Sequence, residues 1–408
     1  MMNEAMTPRQ QRGLQIAATA KITRKDRIFT VPSQTSVGTY KVVYVAGTYC
    51  CTCPDFELTG ERCKHTFAVE FYLKRETAAD GTVTETRAVR MTYPQNWPAY
   101  NAAQTTEKES FCRLLKDLVA DVPTPDQKRG RPTLPLSDML FSAAFKVYST
   151  VSGRRFMTDL RDAQSKGLIA KTPHYNSIFN VLDKPELTPI LKALITKSAM
   201  PLRALESNFA VDSTGFGTQQ FYRHFSAKYG KDIDKRDFVK VHAMIGCTTN
   251  VVTACEATER YTGDAVYLPD LTRTTMEHFD VQQVAADKAY SSRKNLEMLD
   301  AEGIKAMIPF RANAVAVSQG HIKPSQAWEK LFHFFQLHRE EFLAAYHTRS
   351  NVESTFSAMK RKFGDTVRSK TRTAQINETL LKVLCHNIVC VIHEMHASSV
   401  RAEFSLER

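Results

Sequence analysis

The sequence predicts an α/β protein whose main domain is a mixed sheet flanked by helices, preceded by a small N-terminal ββα unit and a helical middle domain. Three observations lead there. Residues 20–75 combine two alternating apolar and polar runs with a tight group of Cys and His residues. Residues 136–205 repeat apolar side chains at helical spacing. From Asn208 onward the pattern reads three strands, helix, strand, helix, strand, helix, the order of a mixed sheet with helices on its faces.

Arg27-Ile-Phe-Thr-Val-Pro32 and Tyr40-Lys-Val-Val-Tyr-Val45 alternate around a Ser/Gly-containing turn and predict a hairpin. A Cys-rich turn and a helical stretch over 63–74 follow. Residues 77–89, rich in Thr and Ala, read as a loop or linker. Residues 101–122 have helical periodicity through Phe111, Leu114, Leu115 and Leu118. Pro123 to Pro135 is too rich in Pro and charge for helix or strand and is the clearest linker.

In the middle region, Leu140, Ala144 and Val147 form one apolar stripe, and Phe156, Leu160 and Ala163 a second. A turn at Lys166-Gly-Leu leads to a short amphipathic helix from Tyr175, flanked by the polar His174, Asn176 and Asn180. This is compatible with a helix-turn-helix, and equally with any small helical bundle. Strands are then predicted at 209–212, 238–246 and 251–257, an amphipathic helix within 264–278, a strand at 281–285, a helix over 291–301 and a strand from Ile304. The resulting divisions are 1–95, a helix and basic Pro-rich linker over 96–135, a helical DNA-binding domain over 136–205, the main domain over 206–395 and a tail over 396–408.

With 408 residues the chain can bury more than one core. Lys and Arg outnumber Asp and Glu by 55 to 43, a formal charge of +12 that favours a polyanionic partner. No run approaches the apolar length of a membrane span, and the N-terminus is polar without a following apolar segment. The expectation is a cytoplasmic protein. Of nine cysteines, most are dispersed and the clustered ones point to metal, not to a disulfide framework.

The late stretch Tyr346-His-Thr-Arg349-Ser-Asn-Val-Glu353-Ser-Thr-Phe-Ser-Ala-Met-Lys360 lacks Gly and Pro. As a helix turning about 100° per residue, it sets Tyr346, Arg349, Glu353 and Lys360 within about 60° of one another. One carboxylate among two cations and a phenol suits a helix that holds a metal through Glu353 and meets a phosphodiester through the other three. Asp212 and Asp287 each follow a buried-looking strand. In a ribonuclease H-like sheet the first and fourth strands are neighbours, so these carboxylates would converge, with Glu353 supplied from a helix alongside. Three converging carboxylates repel unless cations neutralise them. Mg²⁺ answers that need, and two such ions about 3.5 to 4 Å apart serve in-line displacement at phosphorus. Singly, Asp212 also fits an Asx turn, Asp287 a helix cap and Glu353 a surface ion pair. Together, in order, they favour a site.

Tyr346, Arg349, Glu353 and Lys360 match the tyrosine-arginine-glutamate-lysine signature of the DDE transposases of bacterial insertion sequences, and Ala286-Asp287-Lys-Ala-Tyr-Ser resembles their second acidic motif. The resemblance covers residues 205–390. It implies a ribonuclease H-like core, Asp212, Asp287 and Glu353 as ligands of Mg²⁺ or Mn²⁺, and Tyr346, Arg349 and Lys360 on element-end DNA. It also implies hydrolytic cleavage of the ends, attack of the freed 3′-OH on target DNA, a homodimer in the synaptic complex, and a bacterial, nucleoid-associated setting. The segment before the Glu353 helix is too short for the large β insertion some relatives carry, and Trp328 in it reads as packing or base stacking. Two other readings stand beside the transposase: a non-catalytic DNA-binding regulator derived from one, and a metal-dependent nuclease without strand transfer.

Cys51-x-Cys53 and Cys63-x-His65 offer three thiolates and an imidazole from two tight turns, a four-ligand set for a structural Zn²⁺. Cys-Thr-Cys-Pro-Asp-Phe followed by Cys-Lys-His resembles the SWIM zinc finger, and Cys50 falls outside its spacing. Contact of the finger with DNA or with protein is open, with Arg62 and Lys64 favouring DNA slightly. Lys128-Arg129-Gly-Arg131-Pro132 resembles an AT-hook core, with a flexible basic linker as the plainer reading. Lys360, Arg361 and Lys362 continue the late helix with positive charge suited to DNA.

Overall fold

The computed structural model describes residues 7–25, 27–34, 38–45, 48–77, 83–87, 96–126, 130, 132–218, 237–311, 313–317, 324–402 and 404. The chain divides into two compact units, Met1–Gln95 and Asn96–Arg408.

In the first unit, α1 (Pro8–Thr19) starts at a capping box in which the Thr7 hydroxyl and the Gln10 side chain satisfy each other's backbone N–H. Four antiparallel strands follow in sheet order: β1 (Thr23–Lys25), β2 (Ile28–Pro32), β3 (Thr39–Val45) and β4 (Thr48–Cys51). Phe29, Val31 and Val42 point inward from β2 and β3, where they meet Ile16 of α1. The sheet is covered by α2 (Pro54–Thr59) and α3 (Lys64–Tyr72). Gly13 lets α1 lie against α3, since a Cβ there would come within 2.6 Å of the Phe67 Cβ and 3.0 Å of the Lys64 carbonyl.

The expected β2–β3 hairpin is present, pairing Val31 with Tyr40. The unit is nevertheless larger than a ββα module: β4, β1 and α1 extend it. Residues 77–89, expected as a linker, instead begin with the end of β5 (Leu73–Thr77), which pairs antiparallel with β6 (Val83–Arg87). Leu-Lys-Arg-Glu-Thr and Val-Thr-Glu-Thr-Arg form a two-stranded ribbon despite carrying little apolar signal.

In the second unit, the single helix expected over 101–122 is two, α4 (Trp97–Thr105) and α5 (Glu107–Val119), meeting at Thr106. Helices α6 (Leu136–Ser149), α7 (Gly153–Ser165), α8 (Tyr175–Leu182) and α9 (Leu187–Ala199) form the middle region. His174 caps α8 by accepting the Asn176 N–H, and His174, Asn176 and Asn180 are exposed.

Five strands then build the main sheet: β7 (Asn208–Gly217), β8 (Phe238–Gly246), β9 (Val252–Thr258), β10 (Gln283–Ala286) and β11 (Lys305–Met307). Their order is β11-β10-β7-β8-β9, with β7, β8 and β9 antiparallel and β10 and β11 parallel to β7. Helices α10 (Leu268–Met276), α11 (Arg293–Ala301), α12 (Gln326–Leu337), α13 (Arg339–Tyr346), α14 (Ser350–Phe363) and α15 (Arg372–Ala397) surround it.

Helix α15 is apolar on most sides because it runs through the core; Leu380, Leu381, Cys385, Ile388, Val391 and Ile392 are all fully buried. Its Asn387 closes the edge of β9: the side-chain carbonyl accepts the Val252 N–H at 2.9 Å and the amide donates to the Val252 carbonyl at 2.7 Å. Among the described residues no helix is long and apolar enough to cross a membrane.

Candidate metal and nucleic-acid site

The register of two parallel strands sets the acidic site. Ala286 of β10 pairs with Val211 of β7, so Asp287 and Asp212 are the next residues on neighbouring strands at one level of the sheet. Strand β10 ends there, whereas β7 continues through Asp212 to Gly217, so Asp212 lies within its strand and not just past its end as expected. Asp212, Thr214 and Phe216 share one sheet face by alternation. Helix α14 lies on that face and contributes Glu353, with Lys360 Nζ 5.5 Å from the centre of the Phe216 ring.

Arg349 joins the carboxylates. It sits in a 3-10 turn, His347–Arg349, that tightens the chain between α13 and α14, so the expected continuous helix from Tyr346 to Lys360 is broken into three pieces. Its Nη2 donates to Asp212 Oδ2 at 2.7 Å and its Nη1 to Glu353 Oε1 at 3.0 Å. The pairing with Glu353 is the local i,i+4 contact; that with Asp212 spans 137 residues. Asp212 Oδ1 accepts the Ser213 N–H at 2.8 Å, and Asp287 Oδ1 accepts the Ala289 N–H at 2.7 Å.

Burial pushes the Asp212 carboxyl up, and the neighbouring Asp287 charge adds to this against the opposing pull of Ser213 and Arg349. Burial works against the Arg349 cation too, but Asp212, Tyr346 and Glu353 together hold it above its ordinary range. Burial raises the Tyr346 phenol and lowers the Lys360 ammonium. The Asp212, Glu353 and Lys360 side chains line an open groove of about 600 Å³ that also includes Thr214, Phe356 and Arg361.

Arg361 is exposed and donates to Ser357 on its own helix. Lys362 is not brought to the groove: it forms an ion pair with Glu107, which also accepts the Tyr148 hydroxyl at 2.6 Å. Arg129 and Arg131 lie outside the described residues. Trp328 is packed, with its ring edge-on to Phe310 at 4.7 Å, Arg293 over it and its Nε1–H on the Val315 carbonyl. That fills the role of a packing residue and leaves no face for a base.

The sequence reading missed a buried polar group on the opposite face of the sheet. There His242 meets Asp264 at 3.1 Å, Lys240 meets the same carboxylate at 2.7 Å, and Tyr267 stacks on the imidazole. Burial lowers His242 to about 4. The available signal was the alternation of Lys240 and His242 in an otherwise apolar strand.

In the first unit, Cys51 ends β4, Cys53 caps α2, and Cys63 and His65 open α3. All four are buried, and their ligand atoms lie within 4.8 Å of one another. His65 Nδ1 is 3.9 Å from the sulfurs of both Cys51 and Cys63. Gly60, with φ +67°, makes the left-handed turn that brings the second pair back to the first. The Cys51 thiol draws the Cys63 pKa down, with help from His65 and the Thr66 N–H. The Cys51 pKa is driven up in return by Cys63 and by burial. Three soft sulfurs and one imidazole nitrogen in a closed pocket fit a structural zinc ion. Cys50 is exposed and outside the group.

Residues 203–388 match the transposase DDE domain family, and residues 40–74 match the SWIM zinc finger. A stretch of 189 residues is 27% identical to the probable transposase for insertion sequence element ISA1214 of Archaeoglobus fulgidus, covering 46% of this chain and 54% of that protein. The chain thus spans about half the length of that relative. Residues 203–388 are thus similar to the transposase DDE domain family, and the SWIM zinc finger match lies N-terminal to that stretch.

Proposed function

We propose that the protein is a DDE transposase with a ribonuclease H-like catalytic domain over 206–395, which cleaves insertion-sequence ends and joins the freed 3′-OH to target DNA. The observation that carries this reading is the Ala286–Val211 register, which sets Asp287 beside Asp212, together with Arg349, which ties Asp212 to Glu353. The strand order, three antiparallel strands followed by two parallel to the first, supports the ribonuclease H-like assignment.

Carboxylate oxygens on a half-open groove suit Mg²⁺ or Mn²⁺, and Asp212, Asp287 and Glu353 would hold two such ions. When bound, the ions supply Lewis-acid activation of the attacking oxygen and stabilisation of the leaving one. The protein's own groups do the rest. The Ser213 and Ala289 N–H groups fix one oxygen of each aspartate and leave the other for a cation. Tyr346, Arg349, Lys360 and Arg361 line the approach for phosphate, and an open groove accepts a polymer more readily than a small substrate. Cleavage breaks a phosphodiester with water and leaves a 3′-OH; joining breaks one target phosphodiester for each new one made.

In the first unit a structural zinc on Cys51, Cys53, Cys63 and His65 would hold β4, α2 and α3 together as the core of the finger. Residues 136–205 are assigned to DNA binding through the exposed polar start of α8, and synapsis of two ends calls for a homodimer.

The test is cleavage of a supercoiled plasmid carrying the gene with its native flanks, by purified protein with Mg²⁺ or Mn²⁺, beside an Asp287→Asn control. Metal-dependent 3′ cuts at two discrete flanking sites with joined products, absent in the control, are the expected result. Binding without cutting would identify a regulator, and cutting without joining a nuclease.

A further inference from the structure

We propose that Arg349 is a built-in stand-in for the metal: it holds Asp212 and Glu353 in the metal-free chain, and gives them up on loading to become a phosphate ligand for DNA. The proposal rests on the reading of these carboxylates as metal ligands.

Asp212 has two oxygens, and the fold commits only one. Oδ1 accepts the Ser213 N–H, while Oδ2 is the oxygen left for a cation, and Arg349 takes it at 2.7 Å. The other end of the guanidinium takes Glu353 Oε1 at 3.0 Å. A divalent ion held by Asp212 and Glu353 would compete with the guanidinium for the same carboxylates, and like charges at short range repel. The two cations therefore exclude each other.

Beyond these two carboxylates, the Tyr346 phenol faces the guanidinium. Arg349 Nε is buried and has no hydrogen-bond partner among the described residues, so the two carboxylates are the anionic groups that hold the head group. Glu353 is the looser of the two, with 65% of its side chain exposed against 19% for Asp212. Its two partners, Asp212 and Glu353, line the same groove as Lys360 and Arg361, so a displaced guanidinium stays beside that groove. A planar fork suited to a carboxylate is equally suited to a phosphate.

Exchange of this kind makes metal and DNA binding cooperative, and the coupling is reciprocal. A phosphate that draws Arg349 away raises metal affinity by the same factor by which metal raises DNA affinity.

The test titrates the zinc-loaded full chain with Mn²⁺ at pH 8, reading free Mn²⁺ by electron paramagnetic resonance, with and without a short DNA duplex at low salt. Without DNA, Arg349→Ala should bind Mn²⁺ more tightly than the unmutated chain, by roughly five- to 150-fold, the usual range of such coupling. DNA should tighten Mn²⁺ binding in the unmutated chain and do so far less in the variant. Arg349→Lys should fall between, because one ammonium cannot span both carboxylates. Should these variants fold poorly by circular dichroism, the unmutated chain still decides: Mn²⁺ should speed modification of Arg349 by phenylglyoxal, mapped by mass spectrometry.

Unchanged or weaker Mn²⁺ binding in a folded Arg349→Ala, or a phenylglyoxal rate indifferent to Mn²⁺, would overturn the proposal. If Asp212→Asn still abolishes Mn²⁺ binding in that case, the metal-site reading survives alone. If Asp212→Asn binds Mn²⁺ like the unmutated chain, that reading falls, and the exchange with it.

Discussion

The chain gathers charge-bearing side chains in two places and solves the resulting repulsion in two ways. The Cys/His group of the first unit is closed, fully buried and assembled from residues 51–65. The acidic group of the second unit is open, partly exposed and assembled from residues 212, 287 and 353, and an arginine of the same chain already neutralises part of it. Soft donors in a sealed pocket suit a permanent ion that contributes folding energy; hard donors on a groove suit ions that come and go with a substrate. On the proposed reading, the difference would separate a metal that makes a structure from one that serves a reaction.

That contrast fails if the two groups respond alike to mutation. If Glu353 is a metal ligand, as proposed, Glu353→Gln should lower metal-dependent cleavage by roughly 10³-fold or more, since the ligand would act on the transition state. DNA binding measured by gel shift, and zinc content measured by atomic absorption, should hold. Normal cleavage would remove Glu353 from the site. Cys63→Ser should do the reverse in kind: zinc is lost and the first unit unfolds, because apparent zinc binding in finger peptides is worth about 10 to 16 kcal/mol. The second unit's thermal transition should persist. Zinc at parity with the unmutated chain would contradict a ligand role for Cys63.

The same contrast governs what the sequence discloses. The four zinc-type ligands lie in one short stretch, so spacing alone finds them, and the late helix displays Arg349 four residues before Glu353. Strands β7, β8 and β9 are legible as short apolar runs because both of their faces are covered: residues 209–211, 241–246 and 252–255 are buried without a break. What spacing does not disclose is the partner of Arg349 across 137 residues, which depends on the parallel register of β10 against β7. Lys362 shows the complementary error. Its charge follows Lys360 and Arg361 in sequence, yet its position on the helix turns it toward Glu107. The β5–β6 ribbon escapes because its strands carry no apolar period, although the sequence between them holds the turn dipeptide Asp80-Gly81, and the break at Thr106 has no Gly or Pro to mark it.

A second unit that does not depend on metal to fold must be held by its own groups, and α15 shows which. Asn387→Leu would keep the volume of the side chain but strand the Val252 N–H and carbonyl in the core. A loss of about 2 to 4 kcal/mol in urea unfolding is expected for two buried groups left unpaired. A loss below 1 kcal/mol would mean that β9 finds other partners.

His386, on the same helix, gives the smaller and pH-dependent effect. Its Nε2–H donates to the Asn250 carbonyl at 2.9 Å, and burial, opposed by that hydrogen bond, lowers its pKa to about 4 from an ordinary 6.5. Between those values the unfolded chain binds the proton and the folded chain does not, so stability falls as pH drops from 6.5 to 4 and then levels off. The full depression corresponds to about 3 kcal/mol at most. His386→Gln can keep a donor to Asn250 without titrating, and should flatten this part of the stability–pH curve measured at constant zinc. An unchanged slope would assign the acid sensitivity to other groups, with His242, also lowered to about 4 by burial, the next to replace.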